Sequence, residues 1–332
     1  MGELFCRQVP LRPAYDAELA GALAVRGFVP MPFDADALEA MRTDIRGFSE
    51  EIREGYEARG YVVEDLTVPA ADGYPIGLVH THAAGARDLR PCVFYIHGGG
   101  MMVGTPWDGV TDFEGWIDDF GASVFSVDYR LAPEFTAPTL VEDCYTALCY
   151  VVEHAQALGI NPEAIVVAGM SAGGGLAAGT ALLAREHSGP PLAGQLLMAP
   201  MLDPDADGDS VRQEPLTGPW SAEENRRAWS MVLAGTDPGE VRFNTPGRVK
   251  DLAGLPPALL EVGSAETFRS EVIDYAARIW RAGGSAELHV WDGGYHGFEN
   301  HFHTSVGRAA LESRNSWLGR IFGYGPQDKV VG

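Results

Sequence analysis

Hydrophobic and polar positions follow one pattern in the first 60 residues and another in the rest of the chain. From residue 38 onwards, apolar side chains recur at spacings of three and four, which places them on one face of a helix. These side chains are Leu38, Met41, Ile45, Phe48, Ile52 and Tyr56. Asp34 follows two prolines and is the expected N-cap. We expect residues 1–60 to form helices that lie over a site as a cap, although an extra helical layer without a role at a site also fits.

From about residue 61, short apolar runs alternate with helical patterns. Eight segments are expected to be strands, namely 61–68, 76–81, 92–96, 123–128, 164–168, 195–199, 258–262 and 286–290. Helices are expected near 138–157, 172–187, 270–282 and 305–321. Strands that alternate with helices predict an α/β fold with a mostly parallel eight-stranded sheet. The Asp72-Gly73 turn between the first two strands predicts an antiparallel hairpin at one edge.

Residues 203–245 interrupt this alternation with clusters of Asp, Gly and Pro around a helix expected near 221–234. Such an insertion is expected at the carboxyl edge of the sheet, where ligands bind in open α/β folds. The chain is therefore predicted to have an N-terminal helical cap at 1–60 and a main domain at 61–325. The segment near 203–245 would be a second piece of the cap.

Two glycine-rich turns that follow predicted strands carry the strongest chemical signal. Ser171 lies in a Gly-Met-Ser-Ala-Gly sequence at residues 169–173, and a His-Gly-Gly-Gly sequence occupies residues 97–100. A serine on a sharp strand-to-helix turn is a nucleophile, and the glycine turn offers backbone N–H groups for an oxyanion hole. Further on, Glu266 and His296 each follow a later strand. The order nucleophile, acid, histidine at successive strand ends predicts acyl transfer through a serine ester.

The choice of the acid rests on where each nearby carboxylate falls. Glu266 comes a few residues beyond its strand, where a side chain can reach a neighbouring loop. Asp292 is the second candidate, but its position beside the histidine loop suits it better to fixing the turn. Glu271 and Asp274 fall inside the following helix and are expected to point sideways into solvent.

Over roughly residues 60–320 the chain resembles the hormone-sensitive-lipase-like bacterial esterases of the α/β-hydrolase fold. The resemblance rests on the two glycine turns, on the Asp-Tyr-Arg-Leu-Ala-Pro-Glu sequence at 128–134 and on the His-Gly-Phe sequence at 296–298. It implies an α/β-hydrolase fold with a helical cap, with Ser171 as nucleophile, His296 as base and Glu266 as acid. It also implies an oxyanion hole. The expected backbone donors are Gly99, Gly100 and Ala172, with Gly98 as the alternative one residue away.

Three positions depart from the pattern of this family. Glu266 stands where aspartate is commoner. Its side chain is longer by one methylene group, so its loop must lie further from His296 by that length. Met170 replaces an acidic residue or threonine beside the nucleophile. Met101 and Met102 follow the glycine turn where an aromatic is frequent. Their flexible thioethers would give an adaptable acyl pocket, or would simply fill the core.

Composition restricts the partners. The chain has 24 basic and 46 acidic residues and a net charge of −22, which disfavours nucleic acid and anionic membranes. No leader pattern or long apolar run is present, so we expect a cytoplasmic protein. The four cysteines, at positions 6, 92, 144 and 149, lack a metal or redox spacing and are expected to be buried thiols.

The remaining histidines lack the spacing of a metal site. His301 and His303 lack a zinc pattern and are expected at the surface or at a helix start. The histidines at positions 80, 82, 154, 187 and 289 show no partner in the sequence, so neither a metal nor a cofactor is expected. His97 is expected to hold the oxyanion loop.

The sequence thus predicts a serine carboxylesterase that acts on short- to medium-chain acyl esters through an acyl-enzyme. Its partner would be a small ester, and a homodimer is left open. The alternative is a non-catalytic small-molecule receptor on the same fold. A dinucleotide-binding oxidoreductase is disfavoured because the glycines at 173, 175 and 179 do not have the required spacing.

Overall fold

An eight-stranded mixed sheet organises the molecule. The computed structural model describes residues 11–85, 89–109, 113–214, 218–237 and 239–324. The strands are β1 Tyr61–Pro69, β2 Pro75–Ala83, β3 Arg90–Ile96, β4 Ser123–Asp128, β5 Ile160–Met170, β6 Gly194–Met198, β7 Ala258–Gly263 and β8 Ala286–Trp291. Their order across the sheet is β1-β2-β4-β3-β5-β6-β7-β8. The β1–β2 and β2–β4 pairs are antiparallel and the others parallel, so the predicted fold class and edge hairpin are confirmed.

Helices cover both faces of the sheet. They are α1 Ala17–Arg26, α2 Ala35–Ala58, α3 Phe113–Phe120, α4 Thr139–Glu153, α5 Ala172–Glu186, α6 Asp209–Gln213, α7 Ala222–Val232, α8 Arg269–Arg281 and α9 Ser305–Phe322. Alternate residues of β3 point to opposite faces. Phe94 packs in the core cluster that contains α4, α5 and α8, and Tyr95 packs in the cluster that contains α3 and α9. The periodicity did not predict α3, which is only eight residues long.

The second helix confirms most of the pattern that predicted it. Asp34 accepts hydrogen bonds from the first turn of α2, as an N-cap does. Leu38 and Tyr56 are buried. Phe48, however, is 66% exposed, whereas Ser49 is buried and donates to the carbonyl of Ile45. The expectation for Phe48 is therefore wrong: a turn of 3.6 residues brings position 49, not 48, to the buried line that contains Ile45.

The N-terminal segment and the 203–245 segment contact each other. Ser221 and Glu224 form a capping box at the start of α7. The backbone N–H of Met31, just before α2, donates to Oε1 of Glu224 at 2.9 Å. Two pieces of chain that are far apart in sequence thus contact each other.

The described cysteines are free thiols. Cys92 and Cys144 are free and buried, but Cys149 is only half-buried, and Cys6 lies outside the described residues. Within the described ranges, no helix is both long and apolar enough to cross a bilayer.

Candidate active site

Ser171 lies on a strained turn between β5 and α5. Its φ of 56° and ψ of −121° put a non-glycine residue in a sparsely populated region of backbone space. The glycines on either side make this turn fit. A Cβ at Gly169 would overlap the backbone of Gly173, and a Cβ at Gly173 would overlap the carbonyl oxygens that end β3. The surrounding sheet therefore holds the Ser171 hydroxyl in one place above the strand ends.

His296 and Glu266 meet Ser171 in a linear chain of hydrogen bonds. Nε2 of His296 lies 2.9 Å from Oγ of Ser171, and Nδ1 lies 3.3 Å from Oε1 of Glu266. The second carboxylate oxygen of Glu266 accepts from the N–H of Gly263 at 3.2 Å. The structure brings together the three predicted residues, which are separated by up to 125 positions in the chain. Because the imidazole bridges a hydroxyl and a carboxylate, it can take up the hydroxyl proton.

The glycine turn at residues 97–100 lies against the nucleophile. Gly99 and Gly100 have φ of 100° and 63°, and the carbonyl of Gly99 accepts from two N–H groups of the following turn. A Cβ at Gly98 would lie 3.4 Å from Cβ of Ser171. Nδ1 of His97 lies 2.9 Å from the carbonyl oxygen of Gly98, which agrees with its expected role in holding this loop.

Comparison with known proteins decides the family. The model of an α/β-hydrolase family matches residues 93–300. The esterase LipI of Mycobacterium tuberculosis is 36% identical over 318 residues, which cover 92% of this chain and 94% of LipI. The carboxylic ester hydrolase LipN of the same organism is 34% identical over 260 residues, covering 75% of this chain and 67% of LipN. The chain belongs to the hormone-sensitive-lipase-like esterases.

Solved structures agree with this assignment. A bacterial heroin esterase superposes on this chain with a TM-score of 0.85 at 32% identity, over 93% of this chain and 98% of the heroin esterase. The esterase LipW of Mycobacterium marinum gives a TM-score of 0.84 at 32% identity, over 94% and 98% of the two chains. The protein is accordingly a serine carboxylic-ester hydrolase of the α/β-hydrolase fold. The named activities of these relatives give no support to a non-catalytic receptor.

Acidic neighbours control the proton affinity of the esterase's histidine. Burial disfavours the imidazolium of His296, but the hydrogen bond and charge of Glu266, with weaker contributions from Glu299 and Glu224, outweigh it and raise its pKa. Glu299 is buried, and burial raises its own pKa to about 7. Neither of its carboxylate oxygens has a hydrogen-bond partner among the described residues. Glu299 thus acts on His296 through charge and not through a direct bond.

The other candidate acids lie elsewhere. Asp292 is exposed and, among the described residues, accepts only a 3.5 Å hydrogen bond from Oγ of Ser264. Asp274 is exposed and pairs with two arginines of α8. Glu271, which was expected in solvent, instead accepts from the N–H of Leu202 at 2.9 Å and has its other oxygen buried. That expectation is wrong because α8 packs Glu271 under the chain that leaves β6.

The methionines divide between the core and the site. Met101 and Met102 are completely buried in the main core cluster, which favours core filling over an adaptable pocket. Met170 is half-buried and lines a cavity of about 400 Å³ together with Gly98, Gly99, Asp108 and Asn300, among others.

Several residues at the site had no signal in the sequence. Phe268 meets the His296 ring edge-on at 5.0 Å between centroids, and the Trp220 ring lies 6.2 Å away. Asp108 and Asn300 supply the polar groups of the cavity. Their side chains converge only through the folded loops. His301, expected at the surface or at a helix start, is buried four residues before α9 begins, whereas His303 is exposed.

Proposed function

We propose that Ser171, His296 and Glu266 are the catalytic triad of this esterase. The observation that carries the proposal is the 2.9 Å separation between Oγ of Ser171 and Nε2 of His296. In the first step His296 accepts the hydroxyl proton while Oγ attacks the ester carbonyl. Glu266 orients the imidazole and stabilises the imidazolium that forms. His296 then gives the proton to the leaving alcohol, and an acyl-enzyme remains on Ser171.

The tetrahedral intermediate needs donors for its oxyanion. We assign these to the backbone N–H groups of Gly99, Gly100 and Ala172, with Gly98 as the alternative one residue away. Ala172 is the first residue of α5, so its N–H has no acceptor within the helix and lies at the positive end of the helix dipole. Each such donor contributes roughly 3 kcal/mol to transition-state stabilisation. Water, activated by His296, then hydrolyses the acyl-enzyme in a second round of the same chemistry.

We further propose that residues 1–60 and 203–245 form a cap over the catalytic domain of residues 61–325. The hydrogen bond between Met31 and Glu224 supports this, because it joins the two segments. Arg42 of α2 adds a second tie: its guanidinium donates to the carbonyl of Met102, beside the oxyanion loop, at 2.8 Å. The cap would hold the glycine turn at residues 97–100 in place beside Ser171.

The substrate class follows from the size of the cavity beside the oxyanion loop. At about 400 Å³ it lies at the small end of the range for ligand pockets. We therefore propose short- to medium-chain acyl esters of small alcohols as substrates. A cytoplasmic location stays a prediction. The sequence leaves a homodimer open, and light scattering on the purified protein measures the oligomeric state.

The test is hydrolysis of p-nitrophenyl esters of increasing acyl length. Ser171→Ala and His296→Ala should each lower kcat by about 10⁴-fold or more while the protein stays folded. His154→Ala is the matched control, because His154 is exposed at the end of α4. A stoichiometric burst of p-nitrophenol from the wild-type protein reports the acyl-enzyme. Near-normal turnover by either triad variant would reject the assignment.

A further inference from the structure

The antiparallel edge hairpin brings together two imidazoles and a carboxylate far from the triad. Glu64 of β1 lies directly opposite His80 of β2 in the strand register. His82 follows two residues later on the same strand, so its side chain projects from the same face as that of His80. The pairing of the two strands therefore brings the Glu64 carboxylate close to two imidazoles that lie 16 and 18 positions further along the chain.

The separations between the donor atoms fit one small cation. Nδ1 of His80 lies 3.2 Å, and Nε2 of His82 lies 3.7 Å, from the same oxygen of Glu64. Each of the three residues offers a ligand atom within 4.8 Å of the other two. Ligands at about 2.0–2.1 Å from a tetrahedral zinc ion stand about 3.3 Å apart, which is in the range of these distances.

The surroundings of His82 favour its metal-binding form. Nδ1 of His82 lies 2.8 Å from the carbonyl oxygen of Ala83. A hydrogen bond donated there puts the ring proton on Nδ1 and leaves the lone pair of Nε2 toward Glu64, the arrangement that usually orients metal-ligating histidines. His80 is 2% exposed. Its Nδ1, which faces Glu64, is the ring atom placed to bind an ion.

Arg90 is the charged group that packs beside this cluster from β3. Its guanidinium donates to the carbonyl of Ala83, the last residue of β2, and to that of Gly85 just beyond it. The Glu64 carboxylate is 54% exposed. The cluster therefore has one wall of protein and one side open to solvent, from which an ion and a water ligand can enter.

We propose that Glu64, His80 and His82 form a binding site for a divalent transition-metal ion of the zinc class. Three protein ligands hold the ion, and water completes a tetrahedral shell. The cation clips β1 to β2 at the edge of the sheet and stabilises the folded chain, because binding to the folded state alone shifts the unfolding equilibrium.

This site is separate from the esterase chemistry. His80 is level in the sheet with Phe125, Phe94 and Val167, whereas Ser171 lies one residue beyond the carboxyl end of β5. The backbone of Ser171 is offset from that of His80 by four residues along the strand and by three strand spacings. The two are therefore on the order of 20 Å apart. A cation at the hairpin can therefore act on stability without touching the triad.

The experiment uses untagged protein freed of metal with a chelator and titrated with Zn²⁺ by calorimetry and with Co²⁺ by visible absorption. We expect one equivalent of Zn²⁺, a higher Tm with the metal than without it, and the intense d–d bands of a four-coordinate Co²⁺ complex. Glu64→Gln and His82→Ala should each weaken Zn²⁺ binding by at least about tenfold and remove the gain in Tm. Both side chains reach solvent, so these variants should fold.

His289→Ala is the matched control. His289 also lies on an edge strand and contacts a glutamate two residues away, at 2.9 Å from Glu287, but it offers only one imidazole. This variant should bind Zn²⁺ as the wild type does. The proposal is overturned if the Glu64 and His82 variants bind Zn²⁺ with unchanged affinity and stoichiometry, or if no saturable binding occurs. Turnover of p-nitrophenyl esters by the metal-free protein tests the triad independently.

Discussion

Substitution of Gly99 by alanine isolates the contribution of the oxyanion loop. Gly99 has a φ of 100°, and an added Cβ would overlap the carbonyl oxygen of Val103 and stand 2.8 Å from its carbonyl carbon. Ordinary van der Waals contact begins at 3.4 Å. The carbonyl carbon of Val103 must therefore move away by 0.6 Å (3.4 − 2.8), and its carbonyl oxygen must move further. The loop would therefore be displaced by about 1 Å, which is enough to cost about 10²-fold in rate.

A second effect of this substitution is backbone strain, and a control variant measures it separately. Gly60, in the turn between α2 and β1, has a φ of 90°, but a Cβ there would meet nothing within 4 Å. Both Gly60→Ala and Gly99→Ala should lose about 1–3 kcal/mol of stability through their positive φ. Gly99→Ala alone carries the displacement of the loop.

The assay is kcat/KM for a short-chain p-nitrophenyl ester, with urea unfolding of the same preparations. We expect Gly60→Ala to be less stable but fully active, and Gly99→Ala to be folded but about 10²-fold slower. If folded Gly99→Ala kept wild-type kcat/KM, the loop would not supply the oxyanion donors. If Gly60→Ala slowed turnover as much, the loss would reflect general destabilisation.

Three further predictions follow from the site and its surroundings. Glu266→Gln should lower kcat by about 10⁴-fold through loss of imidazole orientation, whereas Asp292→Asn should leave it nearly unchanged; the reverse result would move the acid to position 292. Because only the neutral ring of His296 accepts a proton, its raised pKa should place the acid limb of the kcat/KM profile at a higher pH than for an ordinary imidazole. Glu299→Gln should move that limb to lower pH. An unchanged limb would contradict the effect of the Glu299 charge on His296. Asp143→Ala should cost about 3 kcal/mol in urea unfolding, because the buried Arg130 loses its 2.6 Å ion pair with Asp143 and keeps the pair with the exposed Asp72. A loss below about 1 kcal/mol, as for surface pairs, would contradict this reasoning.

Local hydrophobic periodicity predicted most helices and strands but not where they end. The β4 strand occupies residues 123–128 as predicted, whereas β5, predicted at 164–168, extends over Ile160–Met170. The added residues of β5 pair with β3 and β6, and a single segment does not reveal such partners. Phe48 shows the same limit, because a spacing of three fits a helix face nearly as well as a spacing of four.

The sequence by itself determined which residue types stand at the strand ends, because the strained turn at Ser171 and the glycine turn before it can form only with particular local residues. Tertiary structure alone decided which carboxylates and imidazoles meet. It placed Glu266 on His296 and buried Glu271 beneath the chain after β6. It also paired His80 of β2 with Glu64 of β1, a contact that the residues around His80 in the sequence do not reveal. The physical reason is range: turn geometry and side-chain periodicity act over a few residues, whereas strand register and loop packing set distances between residues far apart in the chain.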